Sequence, residues 1–576
     1  MSVDIVIIPR PYVLIFEACQ ARCLQLTCCK IIISSGMFND PKDVTAKIKI
    51  QQEPTAATSA RPPNILYLVL DQWRYDWDGH HPDTPTGPLP LNVPFLWDMG
   101  QRSTRFTQAY VPSPYCAPVR ACFASGMEYD ATGIYKNLAH SFPLDRIQMT
   151  IYKLLRDTGG YHTMICGKDD LYPADDFFPK YPNDAYAERK MDLGFSDAIR
   201  QDGKMRIMKN PPAKVPNRFE EPYRMFLDSQ TVTMLDGTEL PARQAYIACH
   251  MGRGPEEGCD ASSFPDELYP DNFVRDRAID LLNRKPKDKP WFMQVNFPGP
   301  HHPIATTSKM AESVIDREWP LPFNAVKSHP MNDCPQQDQK REHPEMTIIP
   351  PQLEGRCNYA AEIENLDMLM NAIVQRVADM GEFDNTIIVV AGDHGEMLGE
   401  NGHTGKGTPW RGSVTTPLFI SGPGIGQEQV YHGPVTTLDL GATFLDFAGI
   451  NQLAPGMTTT SLRYLLESEG DTVNQLSPSL SARPYVSSGY DYWRMVVKDM
   501  PTSPDDPIIT SYKLICCKAR LCKDAPKSAT PYKRGEPWHI MLYDTVRDPY
   551  DDVPLDQARP DIIQELLPLL PEGWCR

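Results

Sequence analysis

Val111-Pro112-Ser113-Pro114-Tyr115-Cys116-Ala117-Pro118-Val119-Arg120-Ala121-Cys122-Phe123-Ala124-Ser125-Gly126 sets a cysteine among prolines, with an arginine four positions on. Pro112 and Pro114 disfavour helix on the approach, whereas Pro118 suits a helix's first turn. Cys116 therefore falls at or just before a helix N-terminus, where free N–H groups and the dipole favour a bound oxyanion. Arg120, one turn later, brings its guanidinium toward the same place. On its own a Cys-Pro-Arg cluster is more often an ordinary structural feature. The segments around it decide.

Outward from this stretch the chain alternates apolar runs with helical periodicity. Asn64-Ile-Leu-Tyr-Leu-Val-Leu70 is an uninterrupted apolar run ending in Asp71-Gln72, the pattern of a buried strand in a parallel sheet. Tyr161 to Cys166 repeats it and ends in Gly167-Lys168-Asp169-Asp170-Leu171. Pro290 to Phe297 runs into Pro298-Gly-Pro-His301-His302-Pro303, and Asn385 to Ala391 into Gly392-Asp393-His394-Gly395-Glu396. Met149–Thr158, Asp271–Asn283 and Tyr359–Met380 carry helical spacing. Pro417–Gly424 and Val435–Ile450 continue the core strand and helix. In open α/β sheets ligands bind at the carboxyl ends of the strands, where these polar residues fall. Taken singly, Asp71 also reads as a loop cap, Lys168 as a solvated lysine and the two histidines as a rigid turn.

Together the motifs resemble the formylglycine-dependent sulfatases of the alkaline-phosphatase-like superfamily, from about Pro63 to Pro549. Cys116-x-Pro118-x-Arg120 with Gly126 resembles the signature whose cysteine is oxidised to 3-oxoalanine (formylglycine), although Val119 stands where the family usually has serine. The resemblance implies an α/β fold with a large central, mostly parallel mixed sheet flanked by helices, and a smaller C-terminal antiparallel-sheet subdomain. Trp493 to Val497, Tyr512 to Ile515 and Met541 to Asp544 alternate as that subdomain's strands would, with a helix at Asp561–Leu570. The implied organisation is a leader or linker over 1–62, a catalytic domain over 63–465 with an insertion at about 175–270, and the subdomain over 485–576.

The implied activity is hydrolysis of a sulfate monoester, with sulfated carbohydrate as the default substrate and a small aryl or alkyl sulfate left open. Asp71, Gln72, Asp393 and His394, with the oxidised Cys116, would hold a divalent cation. Ca²⁺ follows family precedent, and the imidazole keeps Mn²⁺ or Mg²⁺ open. Cys116, Arg120, Lys168, His301 and Lys406 (in Gly405-Lys406-Gly407) would be catalytic, with His301 on the leaving-group side. Asn137, Asp170, His302 and His403 are the substrate-side candidates, Asp170 standing where the family shows histidine. Gln72 stands where many members have a second aspartate, as in relatives that include choline-sulfatase-like and phosphonate-hydrolase-like enzymes. Two rivals follow: a phosphonate or phosphodiester hydrolase on the same scaffold, and a non-catalytic binder of sulfated glycans. A redox role for the clustered cysteines is a weaker third. Maturation calls for a separate formylglycine-generating enzyme.

The composition agrees with such an enzyme. At 576 residues, 41% hydrophobic and 23% charged, the chain can bury a large core, and 56 prolines point to much ordered loop. A net charge of −17 argues against non-specific nucleic-acid binding, so attraction of an anionic substrate falls to a local basic pocket. No run of 18 apolar residues occurs, and charges interrupt the apolar pieces of Met1–Met37, which lacks a clean secretory core. Compartment and oligomeric state stay open, family precedent being secretory, lysosomal or periplasmic. Of the 15 cysteines, Cys19, Cys23, Cys28 and Cys29 cluster at one end without a zinc-like partner set, and Cys516, Cys517 and Cys522 near the other.

Overall fold

The run Asn64–Asp71 forms strand β1, buried along its whole length. Its alternation splits it between two cores: Leu66, Leu68 and Leu70 face one apolar cluster, Ile65, Tyr67 and Val69 the other. Burying each of those leucines is worth about 2 kcal/mol. The structure, a computed structural model, describes residues 61–81, 83–137, 147–171, 190–208, 221–234, 237–250, 264–304, 306–323, 349–467, 483–503, 506–518 and 538–575. All the elements below belong to the unit Pro62–Arg576. The expected leader or linker and its four cysteines, Cys522, and much of the stretch around 175–270 lie outside the described residues.

Around β1 stand β2 (Ser103–Tyr110), β3 (His162–Gly167), β4 (Asp197–Arg200), β5 (Trp291–Pro300), β6 (Thr386–Gly392), β7 (Thr415–Ser421) and β8 (Gln429–Thr436), in the order β8-β2-β7-β6-β1-β5-β3-β4. Every neighbouring pair is parallel except those β7 makes with β6 and β2. One face carries helices α1 (Pro94–Arg102), α3 (Pro270–Arg284) and α4 (Ile349–Asp379); the other carries α2 (Cys116–Ser125) and α5 (Leu440–Phe447). Among the described residues no helix is long and apolar enough to cross a membrane.

C-terminally, β9 (Val486–Tyr490), β10 (Trp493–Ser503), β11 (Asp506–Lys518) and β12 (Trp538–Asp544) form a separate antiparallel sheet. One face meets Tyr110, Met397, Trp410 and Val414, and the other packs on α6 (Pro560–Leu566). Cys516 is bonded to Cys575, stapling the chain's end to β11.

Four elements depart from the sequence reading. β2 and α1 carry no clear signal: β2 is threaded with Ser103, Thr104, Thr107 and Gln108, and the side chains of the last three bond to β8 rather than to water. Within the stretch read as an insertion over the active-site face, Asp197–Arg200 instead extends the central sheet as an edge strand and Tyr223, Leu227 and Tyr246 join the core. A strand that short and polar leaves no period-2 signal. Helix α4 begins ten residues ahead of Tyr359, at Ile349.

Candidate active site

Parallel register gathers the site. Leu70 pairs with Gly392, and the Asp393 N–H continues the ladder to the Leu70 carbonyl at 3.0 Å. Gly167 pairs with Asn296, and Asp71 with Pro300. The tips of β1, β3, β5 and β6 therefore end side by side. Helix α2 starts at Cys116, with Tyr115 as its N-cap and Gly126 closing it in the left-handed conformation.

The thiol of Cys116 is the meeting point. Lys406 Nζ lies 2.9 Å from Sγ, His394 Nε2 3.2 Å, Lys168 Nζ 3.6 Å and Asp71 Oδ1 3.7 Å. Arg120 donates to Asp393 Oδ2 through Nε (3.1 Å) and Nη2 (2.8 Å), and Nη2 reaches Asp71 Oδ2 at 3.4 Å. Lys168 donates to that same Oδ2 of Asp71, and its carbonyl accepts from Arg120. Asp170, at φ 47°, sets Oδ2 3.3 Å from Lys168 Nζ. Asn137 Oδ1 accepts the Ala117 N–H at 3.0 Å, which fixes its amide beside the start of α2.

Burial opposes charge throughout, and the partners decide the outcome. Burial would raise the Asp71 carboxyl, but Lys168, His301, Lys406 and Arg120 hold it well below the usual range. Burial, then Asp71, pushes the Cys116 thiol up to about 11. Burial carries His394 down to about 4, so its ring is neutral at pH 7. Its Nδ1 faces the Gly395 carbonyl at 3.0 Å, which can only accept. The single ring proton thus sits on Nδ1, leaving the Nε2 lone pair toward Cys116 and Asp71.

Other candidates stand further out. Burial, then Lys406, His302 and Lys168, keep His301 well below its ordinary value, placing it within electrostatic reach of both lysines. The His301 and His302 rings lie 4.2 Å apart, and His302 is likewise lowered, to about 3, by burial and then Lys406. The loop bearing them is anchored by Asp271 Oδ1, which accepts the Gly299 N–H at 2.8 Å. His403 is buried in the turn after Glu400, where its N–H bonds the Glu400 carbonyl at 3.0 Å.

The donor set fits a hard cation. One ligand atom each of Asp71, Cys116, Asp393 and His394 falls within 4.8 Å of the others, all buried. Gln72, at φ 69°, donates its amide N–H to buried Glu396, which leaves Oε1 buried without a partner. An orphaned carbonyl oxygen beside two carboxylates and a bare imidazole nitrogen is what a cation ligand looks like before the ion arrives. Three supports carried no role in the sequence reading. Glu396 was visible as the last residue of its motif. Tyr359, whose hydroxyl donates to the Gln72 carbonyl at 2.6 Å, and Tyr490, stacked on Tyr115 at 4.4 Å, left no sequence signal.

The sequence and the fold are similar to those of known proteins. The family model described as Sulfatase matches residues 63–450. An arylsulfatase of Clostridium perfringens is 24% identical over 426 residues, covering 71% of this chain and 79% of its own. A protein solved with its substrate D-glucosamine-2-N,6-O-disulfate superposes with a TM-score of 0.60 at 19% identity, over 88% of this chain and 97% of its own. The phosphonate monoester hydrolase of Agrobacterium radiobacter superposes with a TM-score of 0.61 at 19% identity, over 88% and 95%.

Proposed function

Since the chain belongs to the sulfatase family and is a sulfate-ester hydrolase, we propose that it acts through a formylglycine made from Cys116, beside a divalent cation held by Asp71, Gln72, Asp393 and His394. The observation that carries the reading is the meeting of Lys406, His394, Lys168 and Asp71 around one Sγ, each within 3.7 Å. A separate formylglycine-generating enzyme would perform the oxidation. A formylglycine at position 116 would supply, in its hydrated form, the attacking and the releasing hydroxyl, and a cation held by Asp71, Gln72, Asp393 and His394 would favour deprotonation of the first. Four donors with one imidazole suit Ca²⁺, with Mn²⁺ or Mg²⁺ as rivals.

The chain's own side chains do the rest. Lys406 grips the sulfate oxygens, assisted by Asn137, and stabilises charge as it moves. Arg120 fixes Asp393 through paired hydrogen bonds, and Lys168 orients Asp71. His301 is neutral in the free protein; the negative charge of a bound ester draws a proton onto it, ready for the leaving oxygen. His302 and His403 line the substrate side. A sulfated carbohydrate is the substrate class we favour, in keeping with the sulfated sugar bound by the structural relative.

Two measurements test this. Peptide mass analysis of Cys116 from the native host should find the aldehyde in place of the thiol. That protein should hydrolyse an aryl sulfate, and Cys116→Ala should abolish turnover. A position 116 found wholly as thiol sinks the mechanism. Gln72, a neutral ligand, favours phosphonate or phosphodiester hydrolysis as the second reading. Rates on matched aryl sulfate and aryl phosphodiester decide between them.

A further inference from the structure

We propose that Asp170 selects the charge of the ester this site accepts, favouring singly charged esters and opposing doubly charged ones. The proposal rests on the sulfatase reading above and goes beyond it to specificity. Asp170 Oδ2 is 3.3 Å from Lys168 Nζ, which is itself 3.6 Å from Cys116 Sγ. The carboxylate therefore lies within about 7 Å of the reacting position. It is held there by a left-handed backbone angle of 47°, uncommon for a residue other than glycine.

The count of charges gives Asp170 its consequence. Lys168, Lys406 and Arg120 are the cationic side chains gathered around Sγ, and Asp71 and Asp393 are the carboxylates they contact directly. Asp170 adds a further carboxylate beside Lys168, and its repulsion of an anionic ester is added to whatever charge a cation on Asp71 and Asp393 supplies. A sulfate monoester carries a single negative charge, whereas a phosphate monoester of nearly the same shape carries almost two above pH 7. Repulsion from Asp170 acts twice on the second. At an effective dielectric constant of about 35, between the value of about 20 near a protein surface and about 80 for water, that extra charge about 7 Å away is worth about tenfold in relative rate.

The test measures kcat/KM for a matched aryl sulfate and aryl phosphate at pH 8 on the mature holoenzyme, for wild type, Asp170→Asn and Asp170→Glu. Both substrates are read on the same preparation, so the phosphate-to-sulfate ratio is independent of how much protein is folded or oxidised. Where phosphate turnover is too slow, its competitive inhibition constant replaces it. Asp170→Asn is expected to raise the ratio about tenfold, and Asp170→Glu to keep it near wild type. A ratio unchanged in Asp170→Asn, as a merely structural grip on Lys168 would give, overturns the proposal; so does an equal rise in Asp170→Glu. Wild type with confirmed formylglycine and no sulfate-ester turnover removes the underlying reading, and this proposal with it.

Discussion

Gln72 donates its side-chain amide to the carboxylate of Glu396, across 324 residues of chain, and both are buried. The same carboxylate accepts the Leu398 N–H at 3.0 Å and the Gly405 N–H. One acid therefore ties the orphaned oxygen of Gln72 to the loop that carries Lys406. Were the Gln72 amide reversed, its oxygen would face a carboxylate, so Glu396 fixes which end of the amide points to the cation position.

Removing that support should loosen the cation site rather than the fold as a whole. Glu396→Ala is expected to weaken divalent-cation affinity by about 10–100-fold, the usual effect of losing a group that orients a ligand. Titrating Ca²⁺ or Mn²⁺ against thermal midpoint and activity measures it. Equal cation-induced stabilisation of wild type and variant would show that Gln72 does not depend on Glu396.

Lys406 tests the electrostatic side of the mechanism. Its ammonium is the nearest cation to Cys116, at 2.9 Å. Lys406→Met keeps the length of the chain and loses the charge, and kcat should fall about 10²–10³-fold. Formylglycine content by peptide mass should stay at the wild-type level. A rise in KM alone would mean that Lys406 binds substrate without favouring the transition state.

Gly167 carries a prediction about the scaffold. It sits at φ 94°, and a Cβ there would lie 1.9 Å from the Asn296 carbonyl oxygen, which also accepts the Lys168 N–H. No backbone atom that close can be accommodated without separating β3 from β5. Gly167→Ala should cost at least about 2 kcal/mol in denaturant unfolding. It should also lower activity, since Lys168 is the next residue.

Much of this site is legible in the residues because its strands are continuous apolar runs that stop abruptly at a charge. Asp71, Lys168 and Asp393 each follow such a run, and a parallel sheet has to align those ends. The reading fails where a buried strand satisfies polar side chains inside the protein. In β2, Gln108 Nε2 donates to the His432 carbonyl at 2.6 Å, a bond between residues 324 apart that no local pattern announces. Tyr359 and Asp271 were hidden for the same reason. Their roles lie in single hydrogen bonds to the backbone of Gln72 and Gly299, made across the fold.

Buried acids on α4 that are held protonated should each contribute a loss of stability as pH rises, opposite in sign to the contribution of the depressed histidines His301, His302 and His394. Asp367, on α4, is pushed up to about 7 by burial, despite accepting the Phe95 and Leu96 N–H groups at the start of α1. Unfolded, the same carboxyl titrates near its ordinary value, about 4. Between about pH 4 and 7 the folded protein thus binds a proton that the unfolded chain has lost. The stabilisation is full below that window and disappears as pH climbs through 7, at up to about 1.4 kcal/mol per pH unit for one proton. Glu362, beside Lys204, is also raised to about 7, with burial as the main cause, and adds a slope of the same sign. Asp367→Asn cannot lose that proton, and its amide oxygen can still accept one of the two N–H groups. The variant should therefore gain on wild type between pH 5 and 8 in unfolding free energy. A difference that stays flat across that range would mean that Asp367 is already ionised in the folded state, held by the N-terminal end of α1.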